Sequence, residues 1–247
     1  MDTSSNQPAE EISTLEQIST LWPLITDPLQ FVLRYAPAAR RYLAALVKDP
    51  HDAEDVAQTF LLHMVDRPFT PDRVPTGRFR DYLKAVLRNL AISHFRKAAR
   101  EAQLFTKLEQ ISYLHAEGDA DAAWLAEWRK CLMQRAWDRL DQHEREAPEG
   151  LAYTVLRLAT DHHGEDSTAL AIRVTAQTGR QIRPDAFRKQ LSRARKRFAQ
   201  LLVNEVRLTL ERPGATEVVD ELRDLGLMEY VRDFLPETFR GTSGSAS

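Results

Sequence analysis

The sequence has few of the residues that interrupt helices or cross-link chains. Among 247 residues there are 9 glycines and one cysteine, Cys131. A lone cysteine excludes an internal disulfide, and no CxxC pattern is present to build a four-ligand zinc site. No stretch approaches the roughly 18 apolar residues needed to span a bilayer. Residues Met1 to Glu11 are polar and acidic, without the basic segment and apolar run of a targeting peptide. Strand-like alternation is almost absent. The default expectation is a cytoplasmic protein with no structural metal, no cofactor and no membrane contact.

What is present is ordinary for a globular chain: 43% apolar and 28% charged residues, enough to form a core and to exclude wholesale disorder. Ala, Leu, Arg and Glu dominate, which predicts an all-α fold. The net charge of −2 argues against a nucleic-acid binder only as an average. Residues 67–100 carry a net +7 and residues 180–197 another +7, while 1–66, 101–179 and 198–247 carry −6, −6 and −4. A basic block is most often a solvated helix face, but two of them inside amphipathic helices point toward nucleic acid.

Along the chain, residues 1–14 form a polar tail and helical periodicity runs from Leu29 to Val47. Asp49-Pro50 is an N-cap followed by proline at the first helical position, opening a helix over Pro50–Val65. Three prolines and Gly77 make 67–77 a loop. The next helix, Phe79–Ala102, has an apolar stripe of Leu83, Val86, Leu87 and Leu90. Opposite it Asn89, Ser93, Arg96 and Arg100 form one polar stripe at spacings of four, three and four. The pattern weakens over 103–123, read as a linker, and resumes over Trp124–Leu140, Glu149–Thr160 and Ser167–Thr178. A turn, Gly179–Pro184, leads into Pro184–Val203, with Phe187, Leu191, Ala194, Phe198 and Leu201 inward and a basic surface. A helix, a short turn and a basic helix is the helix-turn-helix arrangement. Two short amphipathic segments, Glu217–Leu225 and Leu227–Phe234, precede a Gly/Ser tail. The expected architecture is two small helical domains, 15–102 and 124–212, joined by the 103–123 linker. A helical C-terminal extension (213–236) and a disordered tail (237–247) follow.

The first basic block adds Phe69, Phe79, Tyr82 and Phe95 to its cations. Rings beside phosphate-tracking arginines can stack on unpaired bases, worth roughly 1–3 kcal/mol per base. Phe79 and Tyr82, beside Arg78 and Arg80, lean to that role, whereas Phe95 is as well suited to a core. The loop before Gly77 is a place for a base-capturing pocket.

Asp52-Ala-Glu-Asp-Val-Ala-Gln-Thr-Phe60 resembles the acidic signature in region two of bacterial RNA polymerase sigma factors of the extracytoplasmic-function type. Gly77-Arg-Phe-Arg-Asp-Tyr-Leu83 and Leu87-Arg-Asn-Leu-Ala-Ile-Ser-His-Phe-Arg96 are similar to that family's melting segment and −10 helix. Arg188-Lys-Gln-Leu-Ser-Arg-Ala-Arg195 is similar to the end of region four. The resemblance covers about 150 residues. It implies a non-enzymatic factor that binds core RNA polymerase, directs it to promoter DNA and helps melt the −10 region.

By that resemblance Asp52, Glu54, Asp55, Gln58, Thr59 and Leu62 would dock on the clamp helices of the largest polymerase subunit. Arg78, Phe79, Arg80, Tyr82, Lys84, Arg88, Asn89, Ser93, Arg96, Lys97 and Arg100 would serve the −10 element. Arg183, Arg188, Lys189, Ser192, Arg193, Arg195 and Lys196 would serve the −35 element. The flap of the second-largest subunit and an anti-sigma factor are further partners the family implies. There are departures: Ser93 stands where aspartate is common, the turn before the second basic helix is about two residues longer, and Ile172-Arg-Val-Thr175 lacks the usual acidic-isoleucine-alanine start.

Other classes explain less. Asp161-His162-His163 resembles a metal phosphoesterase motif and His51-Asp52 a phosphohydrolase one, but the further ligands each needs are missing. A helix-turn-helix regulator acting without polymerase accounts for the second block and leaves the first block and the acidic signature unexplained. A helical adaptor accounts for neither block.

Overall fold

The computed structural model describes residues 28–47, 49–66, 77–101, 117–147, 150–211 and 213–235. Among them are nine α-helices: α1 (Pro28–Leu46), α2 (Pro50–Asp66), α3 (Phe79–Glu101), α4 (Glu117–Glu146), α5 (Ala152–Asp161), α6 (Ser167–Thr178), α7 (Pro184–Arg207), α8 (Ala215–Asp224) and α9 (Met228–Val231). A 3₁₀ turn, Arg232–Phe234, closes the described chain. No strand occurs among the described residues; one isolated antiparallel bridge joins Arg78 to Leu210. The expected polar tail, the 67–76 loop with Phe69, most of the linker and the final tail lie outside the described residues.

Local signals account for several helix ends. Asp49 accepts hydrogen bonds from the backbone N–H groups of His51 (2.8 Å) and Asp52 (3.1 Å), satisfying donors that an uncapped helix start leaves orphaned. Asp166 does the same for α6 through Thr168 and Ala169. Gly179 ends α6 at φ 71°, a left-handed C-terminal cap in which a side chain is strained. Gly77, at φ 128°, ends the loop before α3 for the same reason.

The helix α4 differs from expectation. It begins at Glu117 and runs for 30 residues, so residues 117–123, assigned to the linker, are helical. Gly118 is a poor helix former, but Ala120, Trp124, Trp128, Leu132, Ala136 and Leu140 are all buried, one every four residues, in a stripe that winds slowly round the helix. That continuous apolar stripe outweighs local propensity.

Two aromatic groups show what α4 joins. Tyr35 of α1 stacks on Trp128 at 4.8 Å, Phe79 of α3 lies 5.3 Å from Tyr35, and Tyr42 meets Trp124 edge-on at 5.4 Å. Further along, Trp137 packs at 4.8 Å on Phe198 of α7 and edge-on, at 5.9 Å, against Tyr153 of α5. One hydrophobic core therefore runs from α1–α3 through α4 to the second half of α7 and on to α8 and α9. A smaller core under α5, α6 and the start of α7 contains Leu151, Val155, Leu170, Ala171, Val174 and Phe187.

A charged knot sits between α1, α4 and α7. Glu205, 2% exposed, accepts a 3.0 Å hydrogen bond from Arg34 and a 3.3 Å one from Arg139. Burial pushes the adjacent Tyr35 phenol up to about 12, partly opposed by the Arg34 charge. Burial and the Arg34 charge lower the pKa of Arg135.

Candidate polymerase and nucleic-acid interface

The acidic helix α2 buries Ala53, Val56, Ala57, Phe60 and Met64. The opposite side is open: Glu54, Asp55, Gln58 and Thr59 are exposed, and so are Leu62 (64%) and Val65 (53%). Glu54 is held by Arg40 at 3.2 Å and by Gln58 Nε2 at 3.5 Å, while the Thr59 hydroxyl donates to the Asp55 carbonyl at 2.8 Å. Asp52 is the exception among the six candidates. It is half-buried and turned toward α3, where His94 Nε2 lies 3.4 Å from its carboxylate.

The helix α3 buries Phe79, Leu83, Leu87, Ala91 and Phe95, a four-residue repeat along one side. Asn89, Ser93, Arg96, Lys97 and Arg100 are exposed, and Arg88 is half-buried. The polar stripe expected from periodicity therefore faces water. The start of the helix departs from expectation. Phe79, expected to lean toward base stacking, is 1% exposed and wedged against Tyr35 and Trp128. Its ring serves the core, because the aromatic pocket of α1 and α4 removes more apolar surface from water than an exposed position could. Tyr82 is half-buried beside it, with ring centroids 6.4 Å apart. Phe95 is buried too.

The arginines flanking Phe79 are engaged internally. Arg80 is 7% exposed and gives Glu221 of α8 two hydrogen bonds, Nε to Oε1 at 2.7 Å and Nη2 to Oε2 at 3.2 Å. Arg78 Nε lies 3.1 Å from the same carboxylate, and Arg78 Nη1 donates to Asp224. Burial works against the charge on Arg78, but the Asp224 hydrogen bond and the Glu221 charge outweigh it and raise its pKa. Lys84 is bonded to Asp121 of α4 at 3.1 Å. Exposure to a DNA backbone, expected for Arg78, Arg80 and Lys84 alike, thus gives way to partial or full burial against carboxylates that follow much later in the chain.

The second basic segment is arranged differently. The turn between α6 and α7 spans Gly179 to Arg183, and Ile182 packs beneath it on the small core. Phe187, Ala194, Phe198, Leu202 and Val206 anchor α7. Arg183, Arg188, Lys189, Ser192, Arg193, Arg195 and Lys196 are all exposed; Arg183 Nε lies 3.5 Å from Asp185. α7 also extends four residues past the expected end, to Arg207.

Glu221, Asp224 and Glu205 are the residues the sequence reading missed. A signal for two of them exists. Glu221 falls on the apolar side of α8 between Val218 and Leu222, three residues from one and one from the other. Glu205 occupies the corresponding place after Leu202 on α7. A carboxylate at an inward helical position needs a cation across from it.

Among the described residues no three His, Cys, Asp or Glu side chains come together to hold a metal, and no helix is long and apolar enough to cross a membrane. His162 and His163 lie in the turn after α5, with His162 Nδ1 3.6 Å from Glu165.

The class these features define is an all-helical protein with exposed basic and apolar-acidic helix faces. Residues 31–101 match the family model of Sigma-70 region 2. The match spans α2, α3 and nearly all of α1, and it supports a region 2 domain of the sigma-70 family, whose members are non-enzymatic transcription initiation factors. No curated protein and no solved structure matches the chain.

Proposed function

We propose that the chain is a sigma factor of the extracytoplasmic-function type, working in the cytoplasm, with a region-two domain over 15–102 and a region-four helix-turn-helix over 124–212. The observation that carries this reading is the region-two match over 31–101, joined to the open side of α2 and the polar stripe of α3 within the same segment. Asp55, Gln58, Thr59 and Leu62 would meet the clamp helices of the largest polymerase subunit, with Leu62 and Val65 supplying the apolar centre. Asn89, Ser93, Arg96, Lys97 and Arg100 would face the −10 element. The exposed cations of α7 would reach phosphates and base edges of the −35 element, and the flap of the second-largest subunit and an anti-sigma factor would be further partners. The mechanism is positioning and melting: polymerase holds the factor on duplex DNA, and α3 retains the separated strand.

The test mixes purified protein with core RNA polymerase and its upstream promoter region. A complex that initiates where core alone does not supports the reading. Tight binding of duplex DNA with no affinity for polymerase would overturn it in favour of an independent helix-turn-helix regulator. Asp55→Ala with Gln58→Ala should weaken core binding about tenfold, the loss of contacts worth about 1–2 kcal/mol, with helicity unchanged. Undiminished core affinity would remove α2 as the docking face.

A further inference from the structure

We propose that the C-terminal extension is an intramolecular latch whose carboxylates, Glu221 and Asp224, occupy the place of nucleic-acid phosphates on Arg78 and Arg80. It rests on the sigma-factor reading above and extends it to the start of α3, where the resemblance implies a −10 role for Arg78 and Arg80. Three layers of contact hold the latch at that point. Just before the extension the chain is pinned to the same point: Phe79 N donates to the Thr209 carbonyl at 3.1 Å, Gly77 N to the Glu211 carboxylate at 3.2 Å, and Arg78 bridges to Leu210. Next, Glu221 takes both arginines, with Arg80 at 2.7 Å and Arg78 at 3.1 Å, and Asp224 adds Arg78. Beneath these, Val218, Leu222, Leu225, Leu227 and Val231 bury the apolar side of α8 and α9 in the shared core.

The chemistry favours a replaceable occupant over a simple structural tie. Forked guanidinium groups bind carboxylate and phosphate oxygens with the same planar geometry. A buried ion pair offsets most of its Coulomb gain by desolvation, so it adds little net stability compared with apolar residues of the same size. Helix α8 would hold to the core through its leucines and valines without Glu221. What the carboxylates add is neutralisation of two arginines at the edge of the polar stripe. The access route is graded as well. The Arg78 side chain is 31% exposed and that of Arg80 only 8%, so a phosphate reaches Arg78 first and Arg80 is freed only as α8 withdraws. In the latched state the start of α3 has no free cation to offer a strand, and in the open state it has two.

The experiment uses the full-length chain and a fluorescent single-stranded oligonucleotide, without polymerase, reading anisotropy across a salt series. Glu221→Gln with Asp224→Asn is compared with Asp220→Asn with Glu229→Gln, which removes the same charge from the same extension at Asp220, paired with Arg223, and at exposed Glu229. The first pair should bind at least about fivefold tighter than the second. Its salt dependence should be steeper by about 1.4, the value for two more phosphates on a single strand at about 0.7 each. Adding Arg78→Ala and Arg80→Ala to the first pair should abolish the gain. Asp224→Asn alone, at a half-exposed carboxylate, should give a smaller gain and keeps the test open if the Glu221 variant unfolds by circular dichroism. Equal affinity of the latch variants and the charge-matched control would overturn the latch. Because no polymerase is present, that failure is separate from a failure of the wild-type chain to bind polymerase and initiate, which would remove the sigma-factor reading instead.

Discussion

Residues 67–100 and 180–197 carry the same net charge of +7, yet the folded chain treats them in opposite ways. In the first, Arg78, Arg80 and Lys84 are bound to carboxylates of other helices, and among its described residues exposed cations begin only in the second half of α3. In the second, Arg188, Lys189, Arg193, Arg195 and Lys196 stand exposed along one helix. The difference lies in what surrounds each helix. α3 is packed against α1, α2 and the C-terminal segment, so its cations meet other elements. The first half of α7 buries Phe187 in the small core and Ala194 in the large one, and leaves its basic side chains exposed. Charge counted along a chain measures what a helix carries; packing determines what remains available to a ligand.

The contrast can be broken most strongly at Arg80. Arg80→Ala leaves Glu221 buried without its main partner and should cost about 3–5 kcal/mol, read by urea unfolding. A loss below 1 kcal/mol would mean that the pair is solvated and the two basic segments are alike. Gly179→Ala forces a side chain into a left-handed backbone and should cost about 1–2 kcal/mol, while leaving the contacts of α3 untouched. Near-neutral stability there would show that the turn relaxes to another geometry. Arg188→Ala with Lys189→Ala should change stability by no more than about 0.5 kcal/mol. Initiation by the polymerase complex at a −35-dependent promoter should fall, and its salt dependence should flatten by about 1.8 for two duplex phosphates. Unchanged initiation would separate α7 from DNA. Arg195→Ala alone is the smallest case, within about 0.5 kcal/mol in stability, and a larger loss would point to a partner that the exposed surface does not show.

Features written in adjacent residues were legible before folding. Asp49-Pro50 and Gly179 define helix ends because a cap and the groups it satisfies lie within a few residues. The α3 stripe of Asn89, Ser93, Arg96 and Arg100 was legible because one helical period puts them on one side. The fate of Phe79 and Arg80 was not. An aromatic between two arginines satisfies the pattern of a stacking platform and that of a core wedge equally well. What separates the two is Trp128 and Glu221, and Glu221 lies 141 positions from Arg80. Likewise the reach of α4 to Glu117 rests on burial of Trp124 and Trp128 against α1, which no local window contains.

The sequence by itself determined the all-helical class, most helix boundaries, the two basic segments and the acidic helix, since each depends on period, capping and composition over short spans. Tertiary structure alone decided which of those cations stay free. That outcome depends on carboxylates at inward positions of distant helices, Glu205 for Arg34 and Glu221 for Arg78 and Arg80. Ion pairs of this kind form only when a shared apolar core has brought the helices together and excluded water from between them.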